Sequence, residues 1–338
     1  GWGVMSTDGV RRCRLNLKNC DVAITGPSGY GAFSIGDCID TFEDCRIDVP
    51  DYALIMANET ASGVFKNTKV DAGRFAVMCF RNEGGKLVIT DGSVMNTDET
   101  TVVVKGCAPI IEADNCVLSP GNGIILQVMN SDDPGNPAGY YKDPTEDDTF
   151  DPTHDNKTAR ETYDVIASFK DMTVTGDFYN GSTGKKGDTG PKMEMAPPPG
   201  AGPEGPGGPG GPGGPGGGPG GPGAKGNGYD GVRNMALTFD NAAVTGIISA
   251  SKALHRVEKV FKDNCEELGE VVNTAQPVVN NGVIVTLKNG ATWTVAGTSY
   301  LSSLTIDESS SVIGTLLVDG KETALVPGVY TGALTLTI

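Results

Sequence analysis

The sequence predicts an all-β chain wound as a solenoid of stacked parallel strands and interrupted by two long insertions. Three observations carry this. A ten-residue phrase, first seen as LNLKNCDVAI at Leu15–Ile24, returns at Asp40–Val49, Gly63–Ala72, Leu87–Asn96, Ile111–Pro120, Ala167–Gly176 and Leu237–Gly246. Its fifth position is always Asn or Asp: Asn19, Asp44, Asn67, Asp91, Asn115, Asp171 and Asn241. The first five copies are spaced 23 to 25 residues apart, the sequence mark of a repeat architecture. A second phrase of β-branched, aromatic and small residues runs in step with the first, at Trp2–Asp8, Tyr30–Gly36, Tyr52–Asn58, Phe75–Arg81, Thr101–Cys107 and Gly123–Met129.

Each element follows from its composition. The second phrase reads as a strand because stiff, bulky side chains suit a pleated surface and Gly, Asn or Asp bound it. One period therefore holds at least two strands, and no apolar residues recur at helical spacing over a dozen positions. Strands recurring once per period stack in parallel, roughly 4.8 Å apart. The Asn/Asp column then marks one sharp corner, since these residues tolerate left-handed backbone and bond it locally. The sixth position is usually small. The eighth is apolar: Val22, Ile47, Val70, Val94, Leu118, Val174 and Val244. On these phrases the chain resembles the right-handed parallel β-helix proteins, the pectate-lyase-like superfamily. The resemblance covers most of the chain outside the insertions and implies a single-stranded, right-handed coil. It implies little about activity.

In chain order, residues 1–129 form about five regular coils. Residues 130–162 are an insertion rich in Asp, Pro and Asn, with eight acids from Asp132 to Asp155 against Lys142. Asp132, Asp133, Asp147, Asp148 and Asp151 form a candidate Ca²⁺ site, because hard cations take carboxylate oxygens. The plainer reading is a solvated loop held open by its charge. One coil resumes over 163–182. Residues 183–230 are Gly/Pro-rich, with three collagen-like triplets and then prolines every third residue from Pro203 to Pro215. That period suits polyproline II geometry, and a loop leaving and rejoining one coil is the default reading. Residues 231–338 return to the coil. Leu254, Val257, Phe261 and Leu268 suggest a short amphipathic helix near 252–270, although an irregular segment fits nearly as well. Five further strands, separated by Asn-Gly, Ala-Gly and Asp-Gly turns, give about three terminal coils. Their Gly/Thr/Ser-rich character looks like that of bacterial surface adhesins.

A net charge of −16, from 26 basic and 42 acidic residues, disfavours nucleic acid and anionic membrane surfaces. No apolar run reaches the length of a membrane-spanning helix. Gly1 in place of Met suggests a processed terminus or a fragment boundary. Of eight cysteines, Cys20, Cys45 and Cys116 share one slot that elsewhere holds Thr68, Gly92, Met172 or Ala242. Such a slot indicates packing. Buried thiols are expected, with one or two inter-coil disulfides as the alternative; metal ligation is disfavoured because there is no CxxC and the only histidines are His154 and His255.

No catalytic set is assembled. Polygalacturonase-like β-helices carry Asn-Thr-Asp, Asp-Asp, Gly-His-Gly and Arg-Ile-Lys. Here Asn96-Thr97-Asp98 and Asp132-Asp133 occur without the last two, so paired acids lack a polarising partner. Arg74 and Arg81 flank one strand with no acidic cluster between them. Tyr30, Tyr52 and Phe75, with Trp2, head successive strands and form a column, inward as core or outward as a sugar-stacking ladder. The expected function is a non-enzymatic structural or adhesive solenoid at a bacterial cell surface or outside the cell. Its partners would be itself, head-to-tail or laterally, or a surface glycan; no cofactor is assigned beyond the candidate Ca²⁺. The bare strands at both chain ends prompt the head-to-tail expectation, which would yield a filament. The alternative is a carbohydrate-active enzyme or glycan-binding protein acting on acidic polysaccharide.

Overall fold

The computed structural model describes residues 2–7, 13–58, 60–80, 82–132, 164–182, 234–258, 260, 262–278 and 282–338; for 2–7 it gives the backbone alone. These residues are nearly all β and fall into parallel-rich sheets. A nine-stranded sheet takes Trp2–Thr7, Tyr30–Ile35, Leu54–Ala57, Val77–Phe80, Val102–Lys105, Ile124–Met129, Asp177–Asn180 and Ile248–His255 in parallel order, then Val271–Ala275 antiparallel. A twelve-stranded sheet begins with nine parallel strands, Cys13–Lys18 through Ser299–Ile306. The third side is divided between a five-stranded sheet, Asp21–Ala23 to Val117–Pro120, and a four-stranded sheet, Thr173–Thr175 to Ser311–Ile313. From Trp2 to Gly246 the chain visits the three sides in rotation, so each strand pairs with the one three before it in sequence, except on the third side, where Thr173–Thr175 does not pair with Val117–Pro120 and the sheet divides.

The main core lies between these sides. Ile47, Val70, Met95 and Leu118 enter from the third side, Leu54, Val77, Val102 and Leu126 from the nine-stranded sheet, and Phe42, Phe65, Leu87 and Ile111 from the twelve-stranded one. Because the pairing is parallel and in register, equivalent side chains stack. Phe42 lies on Phe65 with ring centres 5.0 Å apart, and Phe169 on Phe239 at 5.4 Å.

The corner between the twelve-stranded sheet and the third side is made by the Asn/Asp column. All seven positions have φ between 45° and 57°, and Asn289 and Asp319 repeat the conformation nearer the C-terminus. Asn67 Nδ2 donates to Asp44 Oδ1, and Asn241 Nδ2 to Asp171 Oδ1, each at 2.7 Å. One copy differs in register. Asp91 and Gly92 both have positive φ, which places an extra residue in the turn. Met95, not Val94, then pairs with Val70 and Leu118 and is buried. Ser93 takes the slot of Cys45, Thr68 and Cys116, with its Oγ accepting from Thr68 N–H at 3.0 Å. Cys13, Cys20, Cys45, Cys79 and Cys116 are free thiols.

The C-terminal part differs from a run of further parallel strands. Gly328–Thr337 pairs antiparallel with Ser299–Ile306 on one side and Thr315–Val318 on the other, and Lys321–Thr323 ends the sheet. The last strand is therefore internal to the sheet, not a bare edge. Among the described residues of 252–270 there is no α-helix. Strand Ile248–His255 runs on, a 3-10 segment spans Lys262–Glu267, and Val271–Ala275 returns antiparallel to Ser251–His255. Pairing of Leu254 with Val272 leaves both half-exposed on that hairpin.

Candidate functional site

The outward side of the nine-stranded sheet carries a second apolar cluster: Tyr52, Ile55, Ala57, Phe75, Met78, Val103 and Met129. Alternation along each strand separates it from the main core; Leu54 and Met56 point in while Ile55 and Ala57 point out. Tyr30, Tyr52 and Phe75 stack on this outer side at 5.2 and 5.4 Å. The column faces away from the main core, yet Tyr52 and Phe75 are buried. The strap at 262–275 roofs them. Gly269 passes so close that a Cβ there would lie 3.0 Å from Phe75 Cε2, and its φ of +84° itself favours glycine.

Two ionic clusters fasten the strap. Arg74 Nη1 binds Asp51 Oδ1 at 3.0 Å, Nη2 donates to the Leu268 carbonyl at 2.7 Å, and Nε reaches Glu270 Oε1 at 3.3 Å. Its guanidinium also lies over the Tyr52 and Phe75 rings, about 5 Å from each centre. Arg256 spans Glu99 at 2.9 Å and Glu267 at 3.2 Å. Burial raises the Glu270 carboxyl to about 7, against the pull of Arg74. Burial likewise raises Asp51 despite Arg74.

The second cluster is buried more completely. Lys105 Nζ lies 2.5 Å from Asp132 Oδ1, while Asp132 Oδ2 accepts from His255 Nε2–H at 2.8 Å and from Gly269 N–H at 2.6 Å. The three side chains are 0%, 3% and 1% exposed. Burial alone would raise the Asp132 carboxyl, but Lys105 and these hydrogen bonds hold it well below the usual carboxylate range. Lys105 sits in register between Phe80 and Met129, so the ion pair is set among apolar neighbours.

Both oxygens of Asp132 are thus engaged, and it lies against the sheet, not in a solvated loop. Asp133, Asp147, Asp148 and Asp151 lie outside the described residues. Among the described residues no group of three or more His, Cys, Asp or Glu side chains could hold a metal ion. Of the acids considered for glycoside chemistry, Asp98 and Asp132 lie in different settings. Asn96 donates to Asp71 at 2.8 Å and lines an open groove with Asp48, Asp71 and Asp98, whereas Asp132 is buried under the strap. His255 belongs to a strand, not an irregular segment.

Sequence reasoning missed the acidic setting of Arg74, supplied from Glu270, and missed Lys105 altogether. A signal for Lys105 was present: it is the one charged residue in a column otherwise reading Ala57, Phe80 and Met129. No family model, no curated protein and no solved structure matches the chain. Among the described residues no helix is long and apolar enough to cross a membrane.

Proposed function

We propose that the chain is a right-handed parallel β-helix acting as a non-enzymatic scaffold at a bacterial cell surface, with its insertions joined to the strands along one corner. The winding is inferred from the rotation of strands through three sides, and its hand from the strong right-handed preference of parallel crossovers. One observation carries the function. Three long connections leave the nine-stranded sheet and return to the twelve-stranded sheet on consecutive tiers: Met129 to Val165, Asn180 to Met235 and His255 to Val283. Earlier tiers cross the same corner in a few residues, as from Ile35 to Cys38 and Lys105 to Ala108. Concentrating long segments on one edge of a rigid body suits display to a partner, either a second copy or a surface glycan. The third connection is partly used as the strap over the aromatic face, which removes that face from the candidates for sugar stacking.

Association would run through the insertions more than through the far end of the twelve-stranded sheet. That sheet ends on Lys321–Thr323, three residues with two charges, which blunts edge pairing. Beads coated with the full chain, or with a chain whose residues 133–163 and 183–233 are each replaced by a short linker, test the reading. The intact chain is expected to cluster beads or bind glycan surfaces, and the shortened chain to lose this while keeping its far-ultraviolet circular dichroism and melting temperature. Equal binding by both chains, or turnover of uronic-acid polymers by the intact one, would overturn it.

A further inference from the structure

We propose that Lys105 and Asp132 are joined by an amide bond formed spontaneously within the folded chain, a covalent staple between the nine-stranded sheet and the start of the acidic insertion. Nζ and Oδ1 are already 2.5 Å apart and fully enclosed. The pair can therefore react as a held neighbour reaction, for which effective concentrations are very high.

The surroundings suit the chemistry. The ion pair is the resting state; in this apolar site, with Phe80 and Met129 on either side in register, transfer of one proton from Nζ to Oδ1 across the short contact gives the neutral, reactive pair. The neutral amine then attacks Cγ, and negative charge develops on Oδ2. That oxygen faces His255 Nε2–H at 2.8 Å and Gly269 N–H at 2.6 Å, two fixed donors at the position where an oxyanion is stabilised. A second proton passes from nitrogen to Oδ1, which departs as water while the Cγ–Oδ2 double bond re-forms. The ammonium and carboxylate become an amide and one water; nothing is oxidised or reduced and no co-reactant is needed. His255 and Gly269 act as positioning groups on Oδ2.

Intact mass spectrometry of the reduced full-length chain, followed by proteolysis, tests this. The expected mass is that of the sequence less one water, with a branched peptide linking the stretch holding Lys105 to that holding Asp132. Lys105→Arg, which keeps a cation but lacks the primary amine, is expected at its full sequence mass. His255→Gln should form the link roughly a hundredfold more slowly. A wild-type chain at full mass, a water loss without the branched peptide, or the same loss in the Lys105→Arg chain would overturn the proposal. An unchanged rate in His255→Gln would overturn the role given to His255.

Discussion

Asn241 donates a 2.7 Å hydrogen bond to Asp171 across 70 residues of sequence, in the same geometry that Asn67 and Asp44 achieve across 23. The long Gly/Pro-rich connection thus leaves the corner on the far side undisturbed. Both residues are exposed, so the backbone conformation they supply matters more than the bond between them. With φ at 50°, Asn241→Ala is expected to cost about 1 kcal/mol from left-handed backbone, whereas Asn241→Gly should cost less. Chemical denaturation of the two variants checks the order.

Substitutions in the apolar stack should act far more strongly. Ile47 and Val70 are fully buried and adjacent in the pairing. Ile47→Asp or Val70→Asp would place an unpaired carboxylate in the main core, a loss of about 4 kcal/mol or more. A melting temperature equal to the parent's would contradict their placement.

The strap should respond to pH. Glu270 binds its proton more tightly folded than unfolded, since burial raises it to about 7 from an ordinary 4.5. Its contribution is therefore full below about 4.5 and is lost as pH rises through 7, up to roughly 3 kcal/mol. Asp51, raised by burial, adds to the same slope in more acidic solution. Hydrogen exchange at 268–272 measured at pH 5 and pH 8 should show faster opening at pH 8. Glu270→Gln should flatten the difference.

Thiol labelling offers a further check. Cys13 and Cys20 are partly exposed, while Cys79 is fully buried; burial pushes Cys79 well up and Cys116 up to about 12. Iodoacetamide at neutral pH is expected to modify Cys13 and Cys20 in the native chain long before Cys79 and Cys116. Equal labelling would indicate that the stack opens.

The β content and the corner column were legible because both rest on local chemistry: alternating apolar residues, and Asn or Asp where the backbone turns left-handed. Register was nearly so. Val94 was misplaced since a turn of two positive-φ residues, Asp91 and Gly92, looks in sequence like one of the ordinary one-residue turns. The strap was not legible, because its fastening pairs Arg74 with Glu270 across 196 residues and Lys105 with Asp132 and His255. Such contacts leave no periodic trace. Tyr30, Tyr52 and Phe75 read as a column, but its direction depended on a roof drawn from elsewhere in the chain.

The shared corner has a consequence for how such a chain can vary. Strand pairing on either side of each long connection is completed by neighbouring tiers, so the connection's length hardly enters the energetics. Lengthening a flexible closure from a few residues to some fifty costs only about 2 kcal/mol, and each further doubling about 0.6. The tract from Gly207 to Pro215 repeats Gly-Gly-Pro in units of three residues. Gain or loss of whole units by slippage in the coding sequence would therefore be almost silent for folding. The length of this connection would then be free to differ between lineages while the strand framework stayed the same.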